Sequence, residues 1–320
     1  MKKRRLKIKK KVKNLFVIFV IVIVGIIFGI RKYNEYKYKQ TNEYKLTVVG
    51  YTLEESKLLI SKLNDKNEKY FVDNEKNDYV IDLIKEKYFL EKNLYDYLEY
   101  RKDNKKKSYS DIVAIVNVGA NNEWYDNDSV KPTDLDKGNL ILVNKFNYLS
   151  SDFVPSDLTS VSLSYAYEGQ KAIKEVVDAY HDMASNAKEA DIQLLVNSSF
   201  RDYAKQESVY KDFYYSNGIS YADKYAARAG YSEHQTGLCL DIFTSGESNT
   251  ENFEETKAFE WLSKNAHKYG FILRYPKDKE YLTGYEYESW HYRYLGKEVA
   301  TKVYESGLTY DEYYAFYLDK

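Results

Sequence analysis

Apolar residues fall into three regimes along the chain. Residues 15–30 form a run of sixteen without a charge, in which only Gly25 and Gly29 are not strongly apolar. Residues 50–105 carry short apolar stripes at helical spacing. Beyond about residue 110, strand-sized apolar stretches are interleaved with longer helical patterns.

The first run is slightly short of the roughly 20 residues that span hydrocarbon, but Lys13 and Arg31 can snorkel at its ends. It predicts a transmembrane anchor over 15–31, preceded by a basic tail over 1–14. A cleaved signal peptide is the alternative. No small-x-small site follows Ile30, where Arg31-Lys32-Tyr33-Asn34-Glu35 is bulky and charged, so the uncleaved anchor is the expectation. Nine Lys or Arg within residues 2–13 put the N-terminus in the cytoplasm and residues 32–320 outside the cell.

Residues 33–43 are polar and aromatic without a clear period, and the segment 32–49 reads as a stalk. Thr52-Leu53-Glu54-Glu55 has the form of a capping box, with Leu58, Leu59, Ile60 and Leu63 following on one face. Helical patterns recur over 79–89 and 91–101. Residues 50–107 are therefore expected to be a small helical module, either a spacer or a partner-binding unit, closed by a charged linker at 103–107.

The region 108–320 alternates element types. Strands are expected over 111–118, 140–145, 192–197, 237–243, 271–275 and 290–295, and helices over 168–187, 203–215 and 254–269. Helices before and between short strands, with hairpin-like spacing late on, predict an α+β fold rather than a doubly wound sheet.

The overall charge of −1 hides an asymmetry: outside the basic tail, 39 basic residues face 49 acidic ones, or −10. A basic tail alone would suit nucleic acid, but the apolar run beside it explains it better, and no nucleic-acid partner is expected. One cysteine, Cys239, cannot form an internal disulfide, and packing is its expected role. The 36 tyrosines are spread along the whole chain and single out no carbohydrate site.

The candidate chemistry is concentrated in Ser232-Glu233-His234-Gln235-Thr236-Gly237-Leu238-Cys239-Leu240-Asp241 and in Glu288-Ser289-Trp290-His291. His234, Asp241 and His291 offer the three N/O donors that catalytic zinc sites use, and Glu288 is left over as a base. Each also has a plainer reading: a satisfied histidine, a strand-end cap, a surface carboxylate. Glu288 and His291 differ by an odd number, so a regular strand would turn them to opposite faces. They can share a site only if the chain turns or bulges near Ser289. Arg201, between an expected strand and an expected helix, has the fork to hold a carboxylate or a developing oxyanion, or else an ordinary ion-pair partner. Trp290 walls the pocket or packs the core. His181 and His267 have no ligand-like neighbours.

Ser-x-His-x-x-x-Gly-x-x-x-Asp followed by Glu-x-Trp-His resembles the VanY-type zinc D-alanyl-D-alanine carboxypeptidases. Further stretches continue the likeness: Ser199-Phe200-Arg201-Asp202-Tyr203-Ala204-Lys205-Gln206, Tyr269-Gly270-Phe271-Ile272-Leu273-Arg274-Tyr275-Pro276, Thr283-Gly284-Tyr285 and His291-Tyr292-Arg293-Tyr294-Leu295-Gly296. It covers roughly residues 110–305. Two positions depart from the pattern, Cys239 where the family usually has Ala and Ser289 where it usually has Pro.

The resemblance implies a small, mostly antiparallel sheet with flanking helices and a zinc cofactor. It also implies peptidoglycan stem peptides as substrate, with substrate contacts from Ser232 and Gln206 and a functional role for Arg201. The family divides between D,D and L,D specificity. A wall-binding module that keeps the fold without the chemistry is a further alternative.

Overall fold

The computed structural model describes residues 2–244 and 252–319, with side chains from residue 9 onward; residues 245–251 of the expected domain lie outside the described set. The chain divides into two compact units, 1–101 and 102–320.

In the first unit, Lys2–Lys39 is one continuous helix of 38 residues. Its apolar side chains from Val12 to Ile30 are exposed. The helix is long and apolar enough to cross a membrane, and the same features suit a signal sequence. It runs through most of the expected stalk. No Gly or Pro interrupts residues 33–39, and Glu35 pairs with Lys39 one turn on, at 3.0 Å. Thr41 then caps a second helix, Asn42–Val49. The capping box at Thr52 forms as expected: its side chain accepts from the Glu55 amide, and Glu55 accepts from the Thr52 amide at 2.7 Å. Leu46, Leu59, Phe71, Leu83, Ile84 and Tyr97 are among the buried residues of these short helices.

The second unit is built on a four-stranded sheet: β1 (Leu194–Ser198), β2 (Cys239–Thr244), β3 (Phe271–Leu273) and β4 (His291–Tyr294). Their order is β1-β2-β4-β3, and every neighbouring pair is antiparallel. Pleating divides the sheet into two chemical faces. Leu240 and Ile242 of β2 and Tyr292 and Tyr294 of β4 join the apolar core with the helix Lys174–Glu189, through Val176, Tyr180, Met183 and Ala187. The alternate residues Cys239, Asp241, His291 and Arg293 are buried too, and they pair across the ladder as Cys239 with Arg293 and Asp241 with His291.

Four expected elements differ. Residues 111–118 are not a strand: Ser108 caps a helix, Tyr109–Asn117, in which residues 112 to 116 are all buried. A continuous apolar run carries no period to separate helix from strand. Residues 140–145 form no ladder beyond an isolated Asn144–Asn147 bridge. The long helix begins at Lys174, because Lys171–Ile173 pairs antiparallel with Leu158–Ser160. The expected 254–269 helix is α-helical only over Lys257–Asn265.

Candidate metal centre

Two turns assemble the site at one edge of the polar face. The first is the 3-10 turn Glu233–Thr236, whose leading residue Ser232 accepts from the His234 amide at 3.3 Å. Gly237 closes this turn at φ 68°, where an L side chain is strained, and a Cβ there would stand 3.2–3.4 Å from Leu158, Ile173 and Pro155. His234 Nδ1 lies 2.6 Å from the Ser199 carbonyl, which fixes that nitrogen as a donor and turns Nε2 into the site. Nε2 faces Asp241 Oδ2 at 3.3 Å.

The second turn precedes β4. The His291 amide donates to the Glu288 carbonyl at 3.3 Å, so the chain reverses across Ser289 and Trp290. This is the turn that the odd spacing of Glu288 and His291 requires. Glu288 Oε2 comes to 3.6 Å from His291 Nδ1, and the same nitrogen lies 3.0 Å from Asp241 Oδ1. Asp241 thus stands between the two imidazoles, whose rings meet edge to face at 5.0 Å.

Two imidazoles and a carboxylate, buried and turned toward one another, form a donor set that suits a zinc ion. Cys239 adds a thiol. One donor atom from each of His234, Cys239 and His291 lies within 4.8 Å of the others, and all three residues are buried. Cys239 is buried, as its expected packing role requires, but its thiol faces the histidines.

The electrostatics are those of a crowded polar pocket. Burial pushes Glu288 up to about 7, against the attraction of His291. Burial and Arg201 disfavour charge on His234, but Cys239 and Asp241 more than offset them and bring it to about 9. Burial opposes ionisation of Asp241, yet the two histidines hold its pKa well below the usual carboxylate range. Cys239 is brought down to about 7, its burial outweighed by the same two rings.

Arg201 lies at the far side of Asp241, 3.8 Å from Oδ2. It donates through Nη1 to Ser198 Oγ at 2.5 Å and through Nε to Gln206 Oε1 at 2.9 Å. A register shift in β1 between Val196 and Ser198 accompanies the pairing of Ser198 with Asp241. Gln206 is buried, and its amide nitrogen donates to the Ala227 carbonyl at 2.7 Å. Both polar ends of Gln206 are therefore engaged within the protein, one of them on Arg201, and its side chain also lines the pocket. Trp290 stacks on Phe243 at 6.2 Å and also lines the pocket, together with Tyr275, Tyr285, Phe213 and Ser232. His181 accepts from the Ser162 amide, and His267 stacks on Tyr304 at 3.8 Å.

A buried ion network behind His291 was missed in the sequence. Glu233 Oε1 accepts from Arg274 Nε and Arg293 Nη1, both at 2.8 Å, and Asp311 takes the other prongs of Arg274. A signal was available: Arg274 and Arg293 follow apolar residues in strand-like stretches, and a buried guanidinium demands a carboxylate.

The family model VanY, D-alanyl-D-alanine carboxypeptidase, matches residues 169–297, which hold both turns and β1 to β4. YodJ of Bacillus subtilis (strain 168) is 40% identical over 181 residues, 55% of this chain and 66% of that protein. The bifunctional D-Ala-D-Ala dipeptidase and D-Ala-D-Ala carboxypeptidase VanXYC of Enterococcus gallinarum is 32% identical over 132 residues, 40% of this chain and 68% of that protein. Among solved structures, the LdcB LD-carboxypeptidase is 36% identical with a TM-score of 0.56, covering 61% of this chain and 94% of that one. The chain spans between 57% and 66% of the length of the first three curated relatives it matches. An antiparallel α+β unit with histidine and carboxylate donors on its polar face is the architecture described above. The chain belongs to the VanY-type D-alanyl-D-alanine carboxypeptidase family.

Proposed function

We propose that this chain is a membrane-anchored zinc carboxypeptidase that removes the C-terminal D-alanine from peptidoglycan stem peptides outside the cell. The observation that carries the reading is Asp241 standing 3.3 Å from one imidazole and 3.0 Å from the other, with Glu288 beside the second. His234, Asp241 and His291 would hold the ion. When bound, zinc supplies a Lewis acid and lowers the pKa of water toward neutrality.

The chain's own residues do the rest. Glu288 takes the proton of the attacking water at its carboxylate and can return it to the leaving amine. Arg201, held rigidly by Ser198 and Gln206, binds the substrate's terminal carboxylate or the oxyanion that develops beside it. Trp290, Tyr275 and Tyr285 give the pocket its aromatic walls and exclude water, and Ser232 holds the turn that carries His234. The helix Lys2–Lys39 anchors the protein with its basic end in the cytoplasm.

A second reading, L,D-carboxypeptidase acting on stem tetrapeptides, is favoured by one observation, the likeness to the LdcB LD-carboxypeptidase over nearly all of that structure. The test is to incubate the full-length protein in detergent micelles with penta- and tetrapeptide stems and to weigh the products. Loss of one D-alanine from the pentapeptide supports the first reading, and loss from the tetrapeptide alone supports the second. Neither product in a zinc-loaded protein would mean a binding module without chemistry.

A further inference from the structure

His291 has two ring nitrogens, and only one of them faces the site. Nδ1 looks toward Asp241 and Glu288, whereas Nε2 points back to Glu233 Oε2 at 3.5 Å. Both of these rear atoms are buried, and neither has a hydrogen-bond partner among the described residues. That is an unusual pair to leave facing one another, because orphaned buried polar atoms are costly.

The surroundings explain why Glu233 can serve the ring. Arg274 and Arg293 both converge on Oε1, each at 2.8 Å, which leaves Oε2 free. The remaining prongs of Arg274 are tied to Asp311, whose Oδ1 also accepts from Asn144 at 2.8 Å. Those of Arg293 are tied to the carbonyls of Asn139, Ile141 and Tyr294. Two guanidinium groups balance two carboxylates, so Glu233 stays ionised in a fully buried position. Its carboxylate is clamped on one side and has its other oxygen aimed at His291.

We infer that Glu233 is the positioning residue of this centre: it holds His291 as the tautomer with its proton on Nε2, so that the Nδ1 lone pair is presented toward Asp241 and the ion. Closing the 3.5 Å gap by about half an ångström would make an ordinary charge-assisted hydrogen bond. Carboxylate partners of this kind orient metal-binding imidazoles and raise their basicity. The Arg274–Asp311 and Arg293 clamps fix the carboxylate in turn. This inference rests on the zinc reading above.

The experiment uses full-length protein with 15N-labelled histidine, which gives signals from only four side chains. Zinc stoichiometry is measured first, and failure to bind zinc would overturn the metal reading and this inference with it. In zinc-loaded protein, His291 is expected to carry its proton on Nε2; a proton on Nδ1 with Nε2 toward the ion would overturn the positioning role and leave the metal reading intact. A second arm uses Glu233→Asp, which keeps the charge beside the two arginines but withdraws from the ring. Zinc affinity, read by chelator competition, is expected to fall roughly 10- to 100-fold in variant protein that the urea unfolding of its zinc-free form shows to be folded. Unchanged zinc affinity in the folded variant would overturn the role. If that variant does not fold, the tautomer in the unsubstituted protein decides.

Discussion

Asp241 lies directly opposite His291 in the β2–β4 ladder, and its Oδ1 is 3.0 Å from the histidine's Nδ1. Its other oxygen reaches His234 at 3.3 Å. One carboxylate therefore links two imidazoles carried by separate segments, and much of the expected behaviour follows from that link.

Metal binding should depend on these three residues. His291→Ala and Asp241→Ala are expected to lose zinc and all hydrolysis, while His181→Ala and His267→Ala keep both. Cys239→Ala separates the two available donor sets: zinc content near one per chain, measured by atomic absorption, is expected to persist. Loss of zinc in that variant would make the thiol a ligand in place of Asp241.

Arg201→Ala is expected to cost roughly two orders of magnitude or more in kcat/KM with zinc retained. Lys should rescue little, since one ammonium cannot replace a fork held by Ser198 and Gln206. Gln206→Ala, which frees the fork, should cost roughly 10- to 100-fold. Amidating the peptide's C-terminus should harm the wild type more than Arg201→Ala if the carboxylate is the partner; equal losses would assign Arg201 to the oxyanion.

Much of the candidate site was legible in the sequence because the residues proposed as ligands sit in short motifs with telling spacing. The odd interval between Glu288 and His291 even required the turn at Ser289 and Trp290. What was not legible depends on contacts between distant segments. Glu233 carries no role in the sequence until Arg274 and Arg293, 41 and 60 residues later, close on its carboxylate. Cys239 reads as packing because strand alternation alone does not say what its face meets. Residues 111–118 read as a strand because five successive apolar residues, all buried in the helix Tyr109–Asn117, erase the period.

Lys145 provides a pH test. It is buried, its Nζ donates to the Asp223 carbonyl, and the rings of Trp124, Tyr125 and Tyr285 surround it at 4.5–5.5 Å. Burial brings its pKa down from 10.5 to about 8. Between these values the unfolded chain binds more protons than the folded one, so this group makes stability rise with pH across the window from about 8 to 10.5. The contribution is roughly 3 kcal/mol at most. The urea midpoint of wild type should rise relative to that of Lys145→Met between pH 7.5 and pH 10; a constant difference would show that the lysine titrates normally.

Topology is tested on intact cells. External protease should digest the chain beyond Lys39 and spare the basic N-terminus, and a salt wash should release nothing. A soluble product starting near residue 32 in the medium would show instead that the apolar helix is a cleaved signal.

The most direct measurement is zinc content and turnover side by side in Glu288→Gln. This substitution keeps the side chain's size and hydrogen bonding but cannot accept the proton. Full zinc occupancy, with hydrolysis of the stem peptide lowered by roughly two to four orders of magnitude, is the expected result. Near-normal turnover in that variant would contradict the assignment of Glu288 as the base on which the hydrolytic reading stands.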